Sequence, residues 1–318
     1  MDNDNSPILE LKNVSKKFKV GNKELCALHD ISLTILQGST LGIVGESGSG
    51  KSTLGRILLK LEEATTGEIF FDQSPIHQLT SRQMQPLRQK MQMIFQDPYS
   101  SLNPRFTIEQ VIGEGMAIHN LEKGKIKKER IAQLLTEVGL DPHMMHRYPH
   151  EFSGGQKQRI GIARALAVNP RLLVCDEPLS ALDTCTQKQV MDLLLRLKYE
   201  KKMTFLFISH DLHAVKKIAD RVGVMYMGHL MELAPVKTLF SSTAHPYTEA
   251  LIHSVPHAYP TNGKPQKLHL LNGEPPSALN PPKGCPFYSR CPKAMELCKQ
   301  TMPKLQEILP GHFSACHI

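Results

Sequence analysis

Residues 8–14 and 31–36 alternate apolar and polar positions, the period of a half-buried strand. Three later stretches are unbroken apolar runs: Leu41-Gly42-Ile43-Val44, Leu172-Leu173-Val174-Cys175 and Phe205-Leu206-Phe207-Ile208. Gly67-Glu68-Ile69-Phe70-Phe71 reads as one further short strand. Between them the rhythm becomes helical: from Ser52 to about Leu61, as two helices over 107–140 interrupted by Gly113, Gly115 and Gly124, and at Val190, Leu193, Leu194 and Leu197. Strands this apolar, separated by helices, predict a parallel sheet covered on both faces. The earlier alternating strands predict antiparallel neighbours, so the expected fold class is α/β with a mixed, mainly parallel core sheet.

After about Val255 the texture changes. Pro256, Pro260, Pro265, Pro275, Pro276, Pro281 and Pro282 crowd a short interval, and each removes a backbone donor from regular structure. At 318 residues the chain suits two domains, or one large domain with an appendage. The expected division is 1–255 for the main domain, with a helical subdomain at about 97–168, and 256–318 for a Pro- and Cys-rich extension.

Composition adds little to this picture: 41% hydrophobic and 21% charged residues are ordinary for a globular chain with a sizeable core. No apolar run reaches the roughly 18–20 residues that span a bilayer, and the acidic, polar start MDNDNSPILELKNV is not a targeting segment, which points to the cytosol. The net charge of +8 admits anionic partners but names none. Its densest cluster, Lys123 to Arg130, opens an amphipathic segment running through Ile131, Leu134, Leu135 and Val138, and so reads as the wet face of a helix.

Candidate chemistry begins at Gly45-Glu46-Ser47-Gly48-Ser49-Gly50-Lys51-Ser52, followed by Thr53. This fits GxxxxGK[ST] and lies between a strand and a helix, as that motif requires. Gly48 and Gly50 permit the tight turn that aims successive N–H groups at phosphate oxygens. Lys51 then reaches the terminal phosphates, and the Ser52 hydroxyl ligates Mg²⁺. Downstream, Asp176 and Glu177 end an apolar strand: Asp176 is placed to complete the Mg²⁺ shell, and Glu177 to polarise a water for in-line attack on the γ-phosphate. A second anion-binding helix start, Ser153-Gly154-Gly155-Gln156, has no phosphate left to bind within its own chain. It is best explained as serving the nucleotide of a second polypeptide.

At these residues the chain resembles the ATPase subunit of an ABC transporter. The resemblance covers about residues 8–255 and rests on the phosphate loop, Gln96 in Phe95-Gln96-Asp97-Pro98, the signature at Ser153, the Asp176–Glu177 pair, the Ser180-Ala181-Leu182-Asp183 loop, and His210 in Ile208-Ser209-His210-Asp211. It implies that Phe18 stacks on adenine and that Gln96 touches Mg²⁺ or the attacking water while sensing the membrane partner. It implies too that His210 contacts the γ-phosphate, and that Ser153, Gly154, Gly155 and Gln156 cap the ATP of an opposite subunit. The segment from Met93 to Arg105 and the tail Gly284-Cys285-Pro286-Phe287-Tyr288-Ser289-Arg290-Cys291-Pro292 are similar to the oligopeptide/dipeptide importer branch, which includes nickel and glutathione importers. That branch implies a second homologous ATPase, two transmembrane permeases and an external solute-binding protein as partners, and a peripheral position on the cytoplasmic face of the membrane. A soluble ABC ATPase acting on nucleic acid is the competing reading. Such proteins need long insertions or two ATPase units per chain, absent here, so no nucleic acid is expected.

Seven cysteines in a cytosolic chain argue against a disulfide framework. Cys26, Cys175 and Cys185 read as packing. Cys285, Cys291, Cys298 and Cys316 share a short, weakly apolar tail where thiolates can stand in for a core. Some members of the family carry a [4Fe–4S] cluster on matching cysteines, which the resemblance implies here; zinc with His312 or His317, and free thiols, are the alternatives.

Overall fold

The computed structural model describes residues 6–254 and 273–318. The expected boundary at 255/256 and the prolines Pro256, Pro260 and Pro265 lie outside the described residues. In chain order the elements are β1 (Pro7–Val20), β2 (Lys23–Leu36), β3 (Thr40–Val44), α1 (Lys51–Leu58), β4 (Thr66–Phe71), β5 (Ser74–Pro75), α2 (Ser81–Lys90), β6 (Met91–Ile94), α3 (Ile108–Ile118), α4 (Gly124–Glu137) and α5 (Gly154–Leu166). They continue with β7 (Leu172–Asp176), α6 (Thr184–Lys201), β8 (Thr204–Ile208), α7 (Leu212–Ile218), β9 (Arg221–Tyr226), β10 (His229–Pro235), α8 (Val236–Ser241), α9 (Pro246–His253), α10 (Glu296–Gln300), β11 (Gln306–Leu309) and β12 (His312–Ser314).

The three apolar runs occupy neighbouring positions in one eight-stranded sheet, ordered β11-β12-β10-β9-β3-β8-β7-β6. Strands β6, β7, β8, β3 and β9 run parallel. Both faces are buried, which is why these strands do not alternate: Leu173 and Cys175 point into one apolar cluster, Leu172 and Val174 into the other. Phe205 and Phe207 divide from Leu206 and Ile208 in the same way. Each such fully buried side chain contributes roughly 1.5–3 kcal/mol, so these short strands anchor the fold.

The alternating strands do not join that sheet. β2, β1, β4 and β5 form a separate four-stranded antiparallel sheet, and its apolar side packs with Leu54, Ile57 and Leu58 of α1. Alternation reports one buried face; it does not report which sheet a strand pairs in. The mixed character of the large sheet comes instead from the hairpin β9–β10, which the periodicity reading leaves unassigned, and from β12 and β11.

Two helices occupy 107–140 as expected, but Gly113 and Gly115 lie inside α3 rather than breaking it. The basic cluster falls on α4, whose Ile131, Leu134 and Leu135 are buried. α3, α4 and α5 share a core through Ile112, Met116, Leu135 and Ile160. The C-terminal segment is integrated with the large sheet: β12 pairs with β10, and Cys285, Phe287 and Cys298 join the same apolar cluster as Phe205 and Phe207.

Candidate nucleotide site

Parallel strands deliver the candidate groups to one edge. The carboxyl ends of β6, β7, β8 and β3 carry Gln96, Asp176 with Glu177, His210, and the phosphate loop, in the crevice position typical of open α/β sheets. α1 begins at Lys51 after Gly50, with no side-chain cap on its first turn, so its N-terminal end is open to an anion. Gly50 has φ 98°, and a Cβ there would come 2.5 Å from the Ala27 carbonyl oxygen. A larger residue would therefore deform the loop.

Lys51 is buried, and its Nζ donates to the carbonyls of Gly45 (2.9 Å) and Glu46 (2.8 Å). Burial pushes its pKa below the usual range, opposed by the charges of Glu177, Asp176 and Glu46. The Ser52 hydroxyl donates to Asp176 Oδ1 at 2.8 Å. Burial raises the Asp176 carboxyl, and the Ser52 hydrogen bond and the Arg56 charge act against that rise. Hard oxygen donors of this kind suit Mg²⁺, with phosphate and water completing the shell.

Glu177 follows the strand end at φ 45°, a left-handed conformation costing about 1–3 kcal/mol for a residue with a side chain. Its N–H is held by the Ile208 carbonyl at 2.9 Å. The turn brings Oε2 to 3.2 Å from Gln96 Nε2 and 3.1 Å from His210 Nδ1. One carboxylate is thus gripped from two neighbouring loops, a geometry suited to orienting a nucleophilic water.

A cavity of about 960 Å³ contains these groups: its lining includes Phe18, the loop residues Glu46 to Thr53, Gln96, Glu177 and His210. Lys16 Nζ lies 4.7 Å from the centroid of the Phe18 ring. The signature residues Ser153, Gly154, Gly155 and Gln156 are not part of this lining. Ser153 caps α5: its hydroxyl accepts from Gln156 N–H at 3.3 Å, and Gln156 Oε1 accepts from Ser153 N–H at 3.0 Å. Gly155 is required by packing, since a Cβ there would come 2.0 Å from Thr186 Cγ2 of α6. Asp183, from the Ser180–Asp183 loop, caps α6.

Sequence reading missed several wall residues. Tyr226, Met227, Gly228, Pro275, Pro276 and Ala278 also line the cavity. The apolar run at 222–226 was a legible strand signal; nothing in the sequence marks the Pro-rich segment as a neighbour of the phosphate loop. Of the three cysteines read as packing, only Cys175 is buried. Cys185 is exposed on the first turn of α6, and Cys26 lines the cavity, because each sits where its element meets solvent rather than a second layer.

The four tail cysteines do converge. Cys285, Cys291, Cys298 and Cys316 line one small void of about 10 Å³ together with His245 and His317. Burial pushes the Cys285 thiol up to about 11, with the other three thiols adding to the rise. The donor set suits a thiophilic group, but among the described residues no three His, Cys, Asp or Glu side chains are disposed to hold a metal ion. As packed, the tail does not fit a [4Fe–4S] cluster. His312 of the zinc alternative is committed elsewhere, with Nε2 2.7 Å from Glu232 Oε1.

A phosphate loop, an acid-ended strand and a clamped carboxylate on one edge of a mixed α/β sheet define an ABC-type P-loop ATPase. Residues 28–180 match the family described as ABC transporter, and residues 231–298 match the oligopeptide/dipeptide transporter C-terminal region. The chain is 50% identical over 314 residues to the putative oligopeptide transport ATP-binding protein YkfD of Bacillus subtilis, covering 98% of this chain and 95% of that protein. It is 47% identical to the oligopeptide transport ATP-binding protein AppF of the same organism, covering 98% and 97%. Among solved structures it is similar to the dimeric post-hydrolysis state of the ATP-binding cassette MJ0796 bound to ADP and Pi, with TM-score 0.67 and 30% identity, over 72% of this chain and 98% of that one. The chain belongs to the ATP-binding proteins of the oligopeptide/dipeptide ABC transporter family, and it is an ATPase. No helix among the described residues is long and apolar enough to cross a membrane.

Proposed function

We propose that this chain is a motor subunit of a peptide importer, in which ATP closes a dimer of two related ATPases and hydrolysis reopens it. The observation that carries the reading is the separation of the two anion-binding helix starts. α1 opens into the cavity beside Lys51, while the start of α5 stands outside that cavity. There, outside the lining of that cavity, the nucleotide of a facing subunit would meet Ser153 and its capping box. To move closed populations from 1:99 to 99:1, ATP must favour closure by about 5.5 kcal/mol, a magnitude that charge-assisted contacts from both faces can supply.

Within the site, the loop amides and Lys51 bind the phosphates, and Phe18 packs on the base. Ser52 and Asp176 would hold Mg²⁺, which would offset charge building up on the phosphates. Glu177 takes a proton from the attacking water, while Gln96 and His210 fix its carboxylate.

The proposed partners are a homologous ATPase, two permeases and, indirectly, an external binding protein, with the complex on the cytoplasmic face of the membrane. Support for permease docking is a groove of about 490 Å³ that includes Leu61, Phe95 and Ile118, immediately beside Gln96. All three side chains are exposed, and a cytoplasmic helix of a permease is the occupant that links this groove to Gln96. The extension from 256 to 318 is proposed as the branch-specific unit, with its four cysteines gathered at one small void.

Uptake assays in a deletion strain test the cargo. Loss of peptide uptake with nickel and glutathione uptake intact is expected; unchanged peptide uptake would reject the peptide reading. Iron and acid-labile sulfide assays on anaerobically purified protein test the thiols, and colourless, metal-free protein rejects the cluster.

A further inference from the structure

Arg290 reaches back 244 positions to the phosphate loop, where its Nη1 donates to both carboxylate oxygens of Glu46 at 3.0 Å. The same nitrogen lies 3.1 Å from the Tyr226 hydroxyl. The Arg290 side chain is only 5% exposed and that of Glu46 24%. The backbone of Glu46 is held as well, its N–H donating to the Tyr247 hydroxyl at 3.0 Å. Phe287, three residues before Arg290 and fully buried, packs against both tyrosines, with ring centroids 5.6 Å from Tyr226 and 5.3 Å from Tyr247. The C-terminal segment also places Pro275, Pro276 and Ala278 in the wall of the nucleotide cavity.

A carboxylate in a loop that receives a polyphosphate is unfavourable by like-charge repulsion, more so where water is partly excluded. A guanidinium is suited to cancel it, being permanently charged and presenting several donors in a fixed plane. We propose that Arg290 is a positioning residue of the ATP site: it neutralises Glu46 and fixes the entry to the phosphate loop, making the C-terminal segment a working part of nucleotide binding. The inference rests on the reading of this cavity as the ATP site. Arg290 lies in one short turn between Cys285 and Cys291, since Tyr288 N–H bonds to the Cys285 carbonyl and Cys291 N–H to the Tyr288 carbonyl. Through Arg290, this turn ties the cysteine tail to the phosphate loop.

Calorimetric titration of Mg–ATP into the full-length chain tests this, comparing wild type with Arg290→Ala, Arg290→Lys, Glu46→Gln and the Glu46→Gln/Arg290→Ala pair. Wild type binds. Arg290→Ala weakens affinity roughly tenfold, Arg290→Lys less, and the double variant recovers most of the loss, as expected for two charges in direct contact. A purely structural Arg290 would give no such recovery, because removing the Glu46 charge does not refill the space. Should Arg290→Ala fail to fold, Arg290→Gln carries the same comparison. Wild-type affinity in the Arg290 variants, or a double variant no better than the single one, overturns the proposal. Absence of Mg–ATP binding in wild type would instead overturn the ATP-site reading beneath it.

Discussion

The Ser52 hydroxyl and the Asp176 carboxylate meet at 2.8 Å, joining the first turn of α1 to the end of β7 across 124 positions. The pair is the proposed Mg²⁺ anchor, and without the cation Asp176 is a carboxylate in an unfavourable place. Burial raises its pKa, so its contribution to stability is fully present below the unfolded value of about 4 and is lost as pH rises through the higher folded value.

Asp176→Asn removes that loss. Nucleotide-free Asp176→Asn protein should melt higher than wild type at pH 7–8, with the difference shrinking as pH falls toward the acid range, while Mg²⁺-dependent hydrolysis disappears. Thermal melts across pH check the first part and phosphate release the second. A variant less stable than wild type at neutral pH would contradict the assignment of burial as the dominant cause.

Glu177→Gln should keep ATP binding and lower turnover by about 10²–10⁴-fold, the range for loss of a positioned general base. His210→Ala should act on the same step, and combining it with Glu177→Gln should cost far less than the two effects multiplied, since both serve one carboxylate. Single-turnover kinetics with bound ATP separates this from a binding defect; turnover by Glu177→Gln close to wild type would rule out its proposed role.

A second buried pair bears on stability alone. His312 of β12 is 1% exposed and Glu232 of β10 0% exposed, and Glu232 also accepts from the backbone N–H groups of Ala244 and His245. His312→Ala removes a hydrogen-bond partner of that buried carboxylate at the junction of tail and sheet, at a cost of about 1–3 kcal/mol. Urea unfolding should show this loss, and His312→Gln, which can still donate to the Glu232 carboxylate, should lose less than His312→Ala.

The sequence made the chemistry more legible than the architecture. Lys51, Asp176, Glu177 and His210 could be read because each follows an apolar run that only a two-sided parallel strand explains, and parallel strands bring their ends to one edge. Tyr226, Tyr247 and Arg290 could not be read, because their contacts with Glu46 join distant parts of the chain through side chains that carry no motif. The separate antiparallel sheet was hidden for a related reason: alternation at 8–14 and 31–36 fixes which residues face inward but leaves pairing partners open. The fold gathers the thiols of Cys285, Cys291, Cys298 and Cys316 at one small void, but spacing along the chain gives no measure of how tightly they pack.

In the proposed dimer, Ser153 serves a nucleotide held by another subunit. The most direct test of that role is sedimentation of Glu177→Gln protein with its co-purified partner ATPase, with and without Mg–ATP, set beside the same protein carrying Ser153→Arg. Association should depend on ATP and be abolished by Ser153→Arg, even though that variant still binds ATP at its own phosphate loop. Association indifferent to ATP, or untouched by Ser153→Arg, would contradict it.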